Sequence, residues 1–161
     1  MFPYQADELY GQHVHAEGAV APLSTKPKVL TRHELALVSR IVDLIIPATD
    51  TPGALAAGVP MYIDYVLSAN AALLKEFRDG LVWFRVKRFG ARNEQEQIAL
   101  LESVCQRSET GEKGPAERFW RTIKSMTADG YYTSKIGLRD ELGYVGNTVL
   151  DRFPESRIPE H

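Results

Sequence analysis

The chain has 161 residues, of which 44% are hydrophobic and 25% are charged, and its length suits one domain with one sizeable core. Its formal net charge is -2, and the basic residues do not gather beside aromatic residues, so we expect no nucleic-acid partner. Asp43 and Pro47 interrupt the most apolar stretch, so no segment is expected to span a membrane directly.

Residues 1–30 carry several prolines and scattered small residues without a helical or strand period. This composition predicts an extended N-terminal arm. Tyr4 and Tyr10 are apolar enough for the arm to wrap a partner, and a disordered terminus is the alternative. The first basic residue is Lys26, so the chain as given does not open like a secretory signal; either export is not intrinsic or a leader is missing.

Residues 31–64 contain signals for the starts of two helices. Thr31 and Glu34 have the spacing of a capping box, which predicts that a helix begins there and ends before Pro47. Pro60 indicates a second helix start, with Asp64 near the first turn, where the helix dipole favours a negative charge.

Apolar residues at helical spacing then predict a helix over about residues 71–89 and another over residues 94–107. The predicted inner face of the second comprises Ile98, Leu101 and Cys105. Pro115 opens the last helical segment. No stretch shows the sustained alternation of a half-buried strand, so residues 31–161 are predicted to form an all-α domain of about four to five helices.

The end of the chain differs in character. Gly130 is predicted to stop the last helix in the left-handed conformation, and the β-prone stretch that follows is expected to begin an irregular C-terminal strap. The aromatic rings and hydroxyls of this stretch could line an edge of the core or meet another protein, and an interface is favoured because tyrosine pairs are common interface anchors. The predicted interface residues are Tyr131, Tyr132, Thr133, Ser134, Trp120, Tyr144, Tyr4 and Tyr10.

The reactive side chains do not form a recognisable catalytic set. Only His13 and His15 lie close together among the histidines, whereas a metal site needs three or four convergent ligands. Phosphate loops, nucleophile elbows and the dinucleotide fingerprint are absent from the sequence. For the single cysteine, Cys105, a buried inert thiol is favoured over an intermolecular disulfide or a nucleophile. We therefore predict no catalytic, cofactor-binding or metal-binding residues in this chain.

Two motifs are more specific than composition requires. Residues 47–53 read PATDTPG and are followed by GVP at 58–60, and residues 127–134 read TADGYYTS after FW at 119–120. At these residues the chain resembles the gluconate 2-dehydrogenase subunit 3 family, over about residues 31–160.

The resemblance implies a non-catalytic small subunit of a flavin-dependent sugar or sugar-acid dehydrogenase complex. A large subunit of the glucose-methanol-choline oxidoreductase type would hold FAD and transfer the hydride, and a multihaem cytochrome c subunit often removes the electrons. The small subunit carries neither FAD nor haem, and it assists folding, assembly and export of the large subunit.

Relatives of this kind work in the periplasm or at the membrane, which predicts a periplasmic location. No twin-arginine leader precedes Thr31, so a cytoplasmic location stays open. The resemblance also implies a cysteine in the last stretch of some relatives, but residues 153–156 of this chain contain none, so association is expected to be non-covalent or to use Cys105. The alternatives are a free-standing helical interaction module and, less favoured, an enzyme with an unrecognised site.

Overall fold

The computed structural model describes residues 26–138 and Leu142, and this part of the chain contains five α-helices, one short 3-10 helix and no β-strand. The α-helices are α1 (Arg32–Ile45), α2 (Val59–Ser68), α3 (Ala71–Val86), α4 (Glu94–Glu109) and α5 (Pro115–Tyr132), and the 3-10 helix η1 (Phe89–Ala91) joins α3 to α4. The all-α prediction is confirmed. None of these helices is long and apolar enough to cross a membrane.

Local side-chain signals define where the helices begin. The predicted capping box is present: Glu34 N donates to Thr31 Oγ1 at 3.2 Å, and Thr31 N donates to Glu34 Oε2 at 2.8 Å. Asn93 and Glu96 form the same box at the start of α4, and the spacing of these two residues in the sequence would have predicted it.

Helix α5 lies at the centre of the fold, packed against α1, α2, α3 and α4. Aromatic rings fill its contact with α3. The ring centroid of Phe119 lies 4.6 Å from that of Phe77 and 5.2 Å from that of Phe84, and all three side chains are buried. Tilted aromatic pairs attract each other, so these contacts stabilise the packing of α5 on α3 in addition to the burial of apolar surface.

The inner face of α4 agrees with the prediction at one of three positions and is shifted by one position at the other two. Ile98 is 40% exposed and Cys105 is half-buried, and only Leu101 of the predicted face is buried. The buried residues of the helix are Gln97, Leu101 and Val104. The spacing of apolar residues could not identify this face, because its first buried residue, Gln97, is polar.

The predicted stop at Gly130 is wrong, because α5 continues through it to Tyr132. Gly130 instead allows α2 and α5 to approach each other: a Cβ at this position would come 2.6 Å from Tyr62 Cδ1. Residues 135–138 are again helical, so the β propensity of this stretch does not decide its conformation.

The last residues of the predicted arm are hydrogen-bonded to α2. Asp64 is buried, and its carboxylate accepts hydrogen bonds from Leu30 N at 2.8 Å, from Val29 N at 3.1 Å and from Lys28 N. Leu30 is also buried in the core. Asp64 therefore binds a distant segment of backbone, a role that its predicted position near a helix start does not reveal.

Candidate partner-binding groove

An open groove of about 830 Å³ lies between α1 and α3 and is also lined by η1. Its large apolar side chains are Leu37, Leu81, Val82 and Phe89. Its arginines are Arg40, Arg78, Arg85 and Arg88, His33 also lines it, and Glu34 is the acidic residue among the lining residues. We call this feature the α1–α3 groove.

The residues of α1 and of α3 that line the groove have the same spacing in the sequence. On α1 the lining positions include 33, 36, 37 and 40, with Glu34 beside them, and on α3 they are 78, 81, 82 and 85. Positions separated by three, four and seven residues share one face of an α-helix. Each helix therefore contributes a stripe with two apolar residues at its middle and an arginine at its end.

Arg78 ties α3 to the start of α1. Its Nε donates to Glu34 Oε1 at 3.0 Å, and its Nη2 donates to the carbonyl oxygen of Val29 at 2.7 Å. Burial acts to raise the pKa of Glu34, but hydrogen bonds from Thr31 and Arg78 outweigh it and hold the pKa below its usual range. Glu34 is thus a fixed anion at the groove.

Arg40 ties α1 to α4. Its Nε donates to Gln97 Oε1 at 2.7 Å, and its other nitrogens bind Glu94 at 2.7 Å and Asp43 at 3.2 Å. The amide nitrogen of Gln97 in turn donates to the carbonyl oxygen of Phe89 at 3.1 Å. Gln97 is therefore buried with its polar atoms bound, and Arg40 is held in place by the fold.

Arg85 and Arg88 are exposed, and their side chains form no hydrogen bond or ion pair with the described part of the chain. Arg88 follows the end of α3 with φ 55°, in the left-handed region. A non-glycine residue pays roughly 1–2 kcal/mol for this conformation. These two guanidinium groups are accordingly available to an anion that approaches from outside.

The structure shows where Tyr131, one of the predicted interface residues, lies. Its side chain is only 2% exposed, and its hydroxyl donates to the carbonyl oxygen of Pro52 at 3.0 Å, so it belongs to the core. Tyr132 is 44% exposed, and its ring meets that of Tyr131 edge-on at 5.3 Å. The Tyr-Tyr pair therefore points one ring inward and one outward, because consecutive helical residues face different directions.

The other predicted interface residues have mixed positions. Thr133 Oγ1 donates to the carbonyl oxygen of Asp129 at 2.6 Å, and Ser134 Oγ donates to that of Tyr131 at 2.6 Å, so both hydroxyls bond to the end of α5. Trp120 is half-buried against the core. Tyr4, Tyr10 and Tyr144 lie outside the described residues. None of the predicted interface residues within the described ranges lines the α1–α3 groove.

The remaining candidate features of the described residues are the single cysteine and any cluster of side chains that could bind a metal ion. Cys105 is a free, half-buried thiol whose Sγ donates to Glu109 Oε1 at 3.5 Å. Between residues 26 and 138, no group of three or more His, Cys, Asp or Glu side chains could hold a metal ion. The groove, with its arginines and apolar residues, is suited to binding a partner.

A family model described as gluconate 2-dehydrogenase subunit 3 matches residues 32–148, which is more than half of the chain. The matched range includes every residue that lines the groove except Thr31. Neither the curated proteins nor the solved structures give a match.

Proposed function

The chain belongs to the gluconate 2-dehydrogenase subunit 3 family, and from this we propose that it is the non-catalytic small subunit of a flavin-dependent sugar or sugar-acid dehydrogenase complex. The family match carries the proposal, since it identifies a subunit of a dehydrogenase complex. The large subunit, of the glucose-methanol-choline oxidoreductase type, holds FAD and oxidises the substrate. A multihaem cytochrome c accepts the electrons, and the complex works in the periplasm.

The surface of the described residues supports a role in binding another protein. Val86 of α3 is 73% exposed, and Val82 one turn earlier is 46% exposed. Tyr65 of α2 and Tyr132 at the end of α5 are 52% and 44% exposed. Apolar and aromatic side chains of this kind are typical of the centre of a protein interface, where their burial drives association.

We propose that this small subunit promotes folding and assembly of the large subunit. A helical domain that binds the flavoprotein would lower the free energy of the folded large subunit, because a ligand that binds only the folded state stabilises it. The expected interface is extensive, above roughly 2,000 Å² of total buried surface, as in permanent complexes.

The direct test is affinity purification of the full chain from its native cells, followed by mass spectrometry of the proteins that accompany it. We expect a flavoprotein in stoichiometric amount, with the absorbance spectrum of FAD and dehydrogenase activity on a sugar or sugar acid. The full chain purified alone is expected to lack both.

Each alternative gives a different result in this experiment. A free-standing interaction module would recover no flavoprotein, and an enzyme would show turnover as the isolated chain. Stoichiometric flavin or haem on the isolated chain would also contradict the proposal.

A further inference from the structure

We infer that the α1–α3 groove binds an acidic, amphipathic helical segment of the flavoprotein subunit. This inference rests on the proposed function, and it specifies which face of the small subunit the large subunit occupies.

The form of the groove favours a helix as its occupant. Apolar side chains from two separate helices, such as Leu37 of α1 and Leu81 of α3, line one open groove. An amphipathic helix places its apolar face in such a groove and keeps its polar face at the rim. Val82 and Val86 extend the apolar surface along α3 by a further turn. This exposed valine pair would be covered by a helix that follows the groove.

The charges of the groove favour an acidic occupant. Four arginines line it with one carboxylate, although the chain as a whole has a net charge of -2. That carboxylate, Glu34, is already bound to Arg78, and Arg40 is bound to residues of α1 and α4. Arg85 and Arg88 therefore supply positive charge that the described residues leave unneutralised. Carboxylates on the polar face of a partner helix would pair with these two groups.

The conformation of Arg88 supports the same conclusion. The position after a helix end with positive φ is usually glycine, which adopts this conformation without steric cost. Here an arginine occupies the position and presents a charged group at the groove. Backbone strain of this kind concentrates at residues with a function.

The test compares two double charge reversals in the full chain, each co-expressed with the flavoprotein subunit. R85E/R88E changes the two unpaired groove arginines, and K113E/K124E makes the same change of charge at two exposed lysines that do not line the groove. We expect R85E/R88E to weaken binding at least roughly tenfold, because like charges would then face each other, and K113E/K124E to bind like the unchanged chain. Circular dichroism and thermal unfolding check that both variants fold.

Hydrogen exchange locates the contact independently. Peptides from α1 and α3 are expected to gain protection in the wild-type complex, and the affinity of that complex is expected to fall with added salt. Equal binding by R85E/R88E and the wild-type chain, without protection of these peptides, would overturn the inference and leave the proposed function intact. If the wild-type chain captures no flavoprotein at all, the proposed function fails as well.

Two other occupants would also overturn the inference. If α1 and α3 are already protected in the isolated chain and lose protection when residues 1–25 are deleted, the chain's own N-terminal residues occupy the groove. If their protection rises with the concentration of the isolated chain, a second copy occupies it.

Discussion

Gly80 of α3 faces the side chain of Phe119 of α5, and there is no room for a methyl group between them. A Cβ built on Gly80 would overlap Phe119 atoms on the opposite helix. This close approach allows Phe77 and Phe84, one turn to either side of the glycine, to contact the same ring of Phe119. The contact also fixes α3, and with it one wall of the α1–α3 groove.

Replacement of Gly80 by alanine is therefore expected to destabilise the protein. Alanine favours a helix over glycine by about 1 kcal/mol, but the overlap with Phe119 forces the helices apart and should outweigh this gain. We expect a net loss of about 2 kcal/mol in the free energy of unfolding, measured with urea. Gly90→Ala is the matched control, because a Cβ there meets nothing within 4 Å. Equal stability of the two variants would contradict the close approach.

The anchoring of residues 28–30 by Asp64 predicts a second loss of stability. Asp64→Ala leaves three backbone amides without their acceptor, and the expected cost is about 3 kcal/mol. Hydrogen exchange at Leu30 should also become faster. Asp50→Ala, in an exposed loop, is expected to change the free energy of unfolding by less than about 0.5 kcal/mol. Unchanged exchange at Leu30 in Asp64→Ala would show that other contacts hold the segment.

The two adjacent tyrosines should respond differently to substitution. Tyr131→Phe removes the hydrogen bond to Pro52 and is expected to cost about 1 kcal/mol of folding stability. Tyr132→Ala should cost less than about 1 kcal/mol, because that ring is partly exposed and makes one edge contact. If Tyr132 contacts the flavoprotein, its replacement lowers the yield of complex without changing turnover. A Tyr132→Ala complex that assembles fully but loses turnover would instead place this tyrosine at the active site.

The lowered pKa of Glu34 predicts a pH dependence of stability. The folded state binds the ionised carboxylate, so this contribution is fully present above the ordinary glutamate pKa of about 4.3 and is lost as the pH falls through the lower folded pKa. The stability difference between the wild-type chain and Glu34→Gln should therefore be largest near neutral pH and shrink in acid. Glu102→Gln, at an exposed position of α4, serves as the control in urea titrations at both pH values. A difference that does not change with pH would refute this role of the carboxylate.

The conformation of Arg88 predicts a substitution that stabilises the protein. Arg88→Gly relieves the left-handed strain and should raise the free energy of unfolding by about 1 kcal/mol, whereas Arg88→Ala retains the strain and should not. Binding to the flavoprotein is expected to weaken in both variants, since both remove the guanidinium group. A glycine variant that is less stable than the alanine variant would show that the backbone there is unstrained.

The fold class and several helix starts could be predicted from the sequence, because they depend on interactions within a few residues. The Thr31–Glu34 capping box acts across one turn, and Pro60 and Pro115 act at their own backbone positions. The family resemblance could also be read from local motifs, and the family match over residues 32–148 confirms it.

Which side chains face inward and where the groove lies depend on the packing of helices that are far apart in the sequence. Gly130 has the local character of a helix stop, but packing against Tyr62 keeps it inside α5, and the same helix turns Tyr131 into the core. Gln97 can be buried because Arg40, 57 positions away, and the carbonyl groups of Phe89 and Arg92 satisfy its polar atoms. The groove joins two stripes whose corresponding positions, such as 33 and 78, lie 45 residues apart in the sequence, and these stripes come together only because α1 and α3 both pack around α5. Contacts between residues far apart in the chain leave no local pattern, so sequence periodicity cannot reveal them.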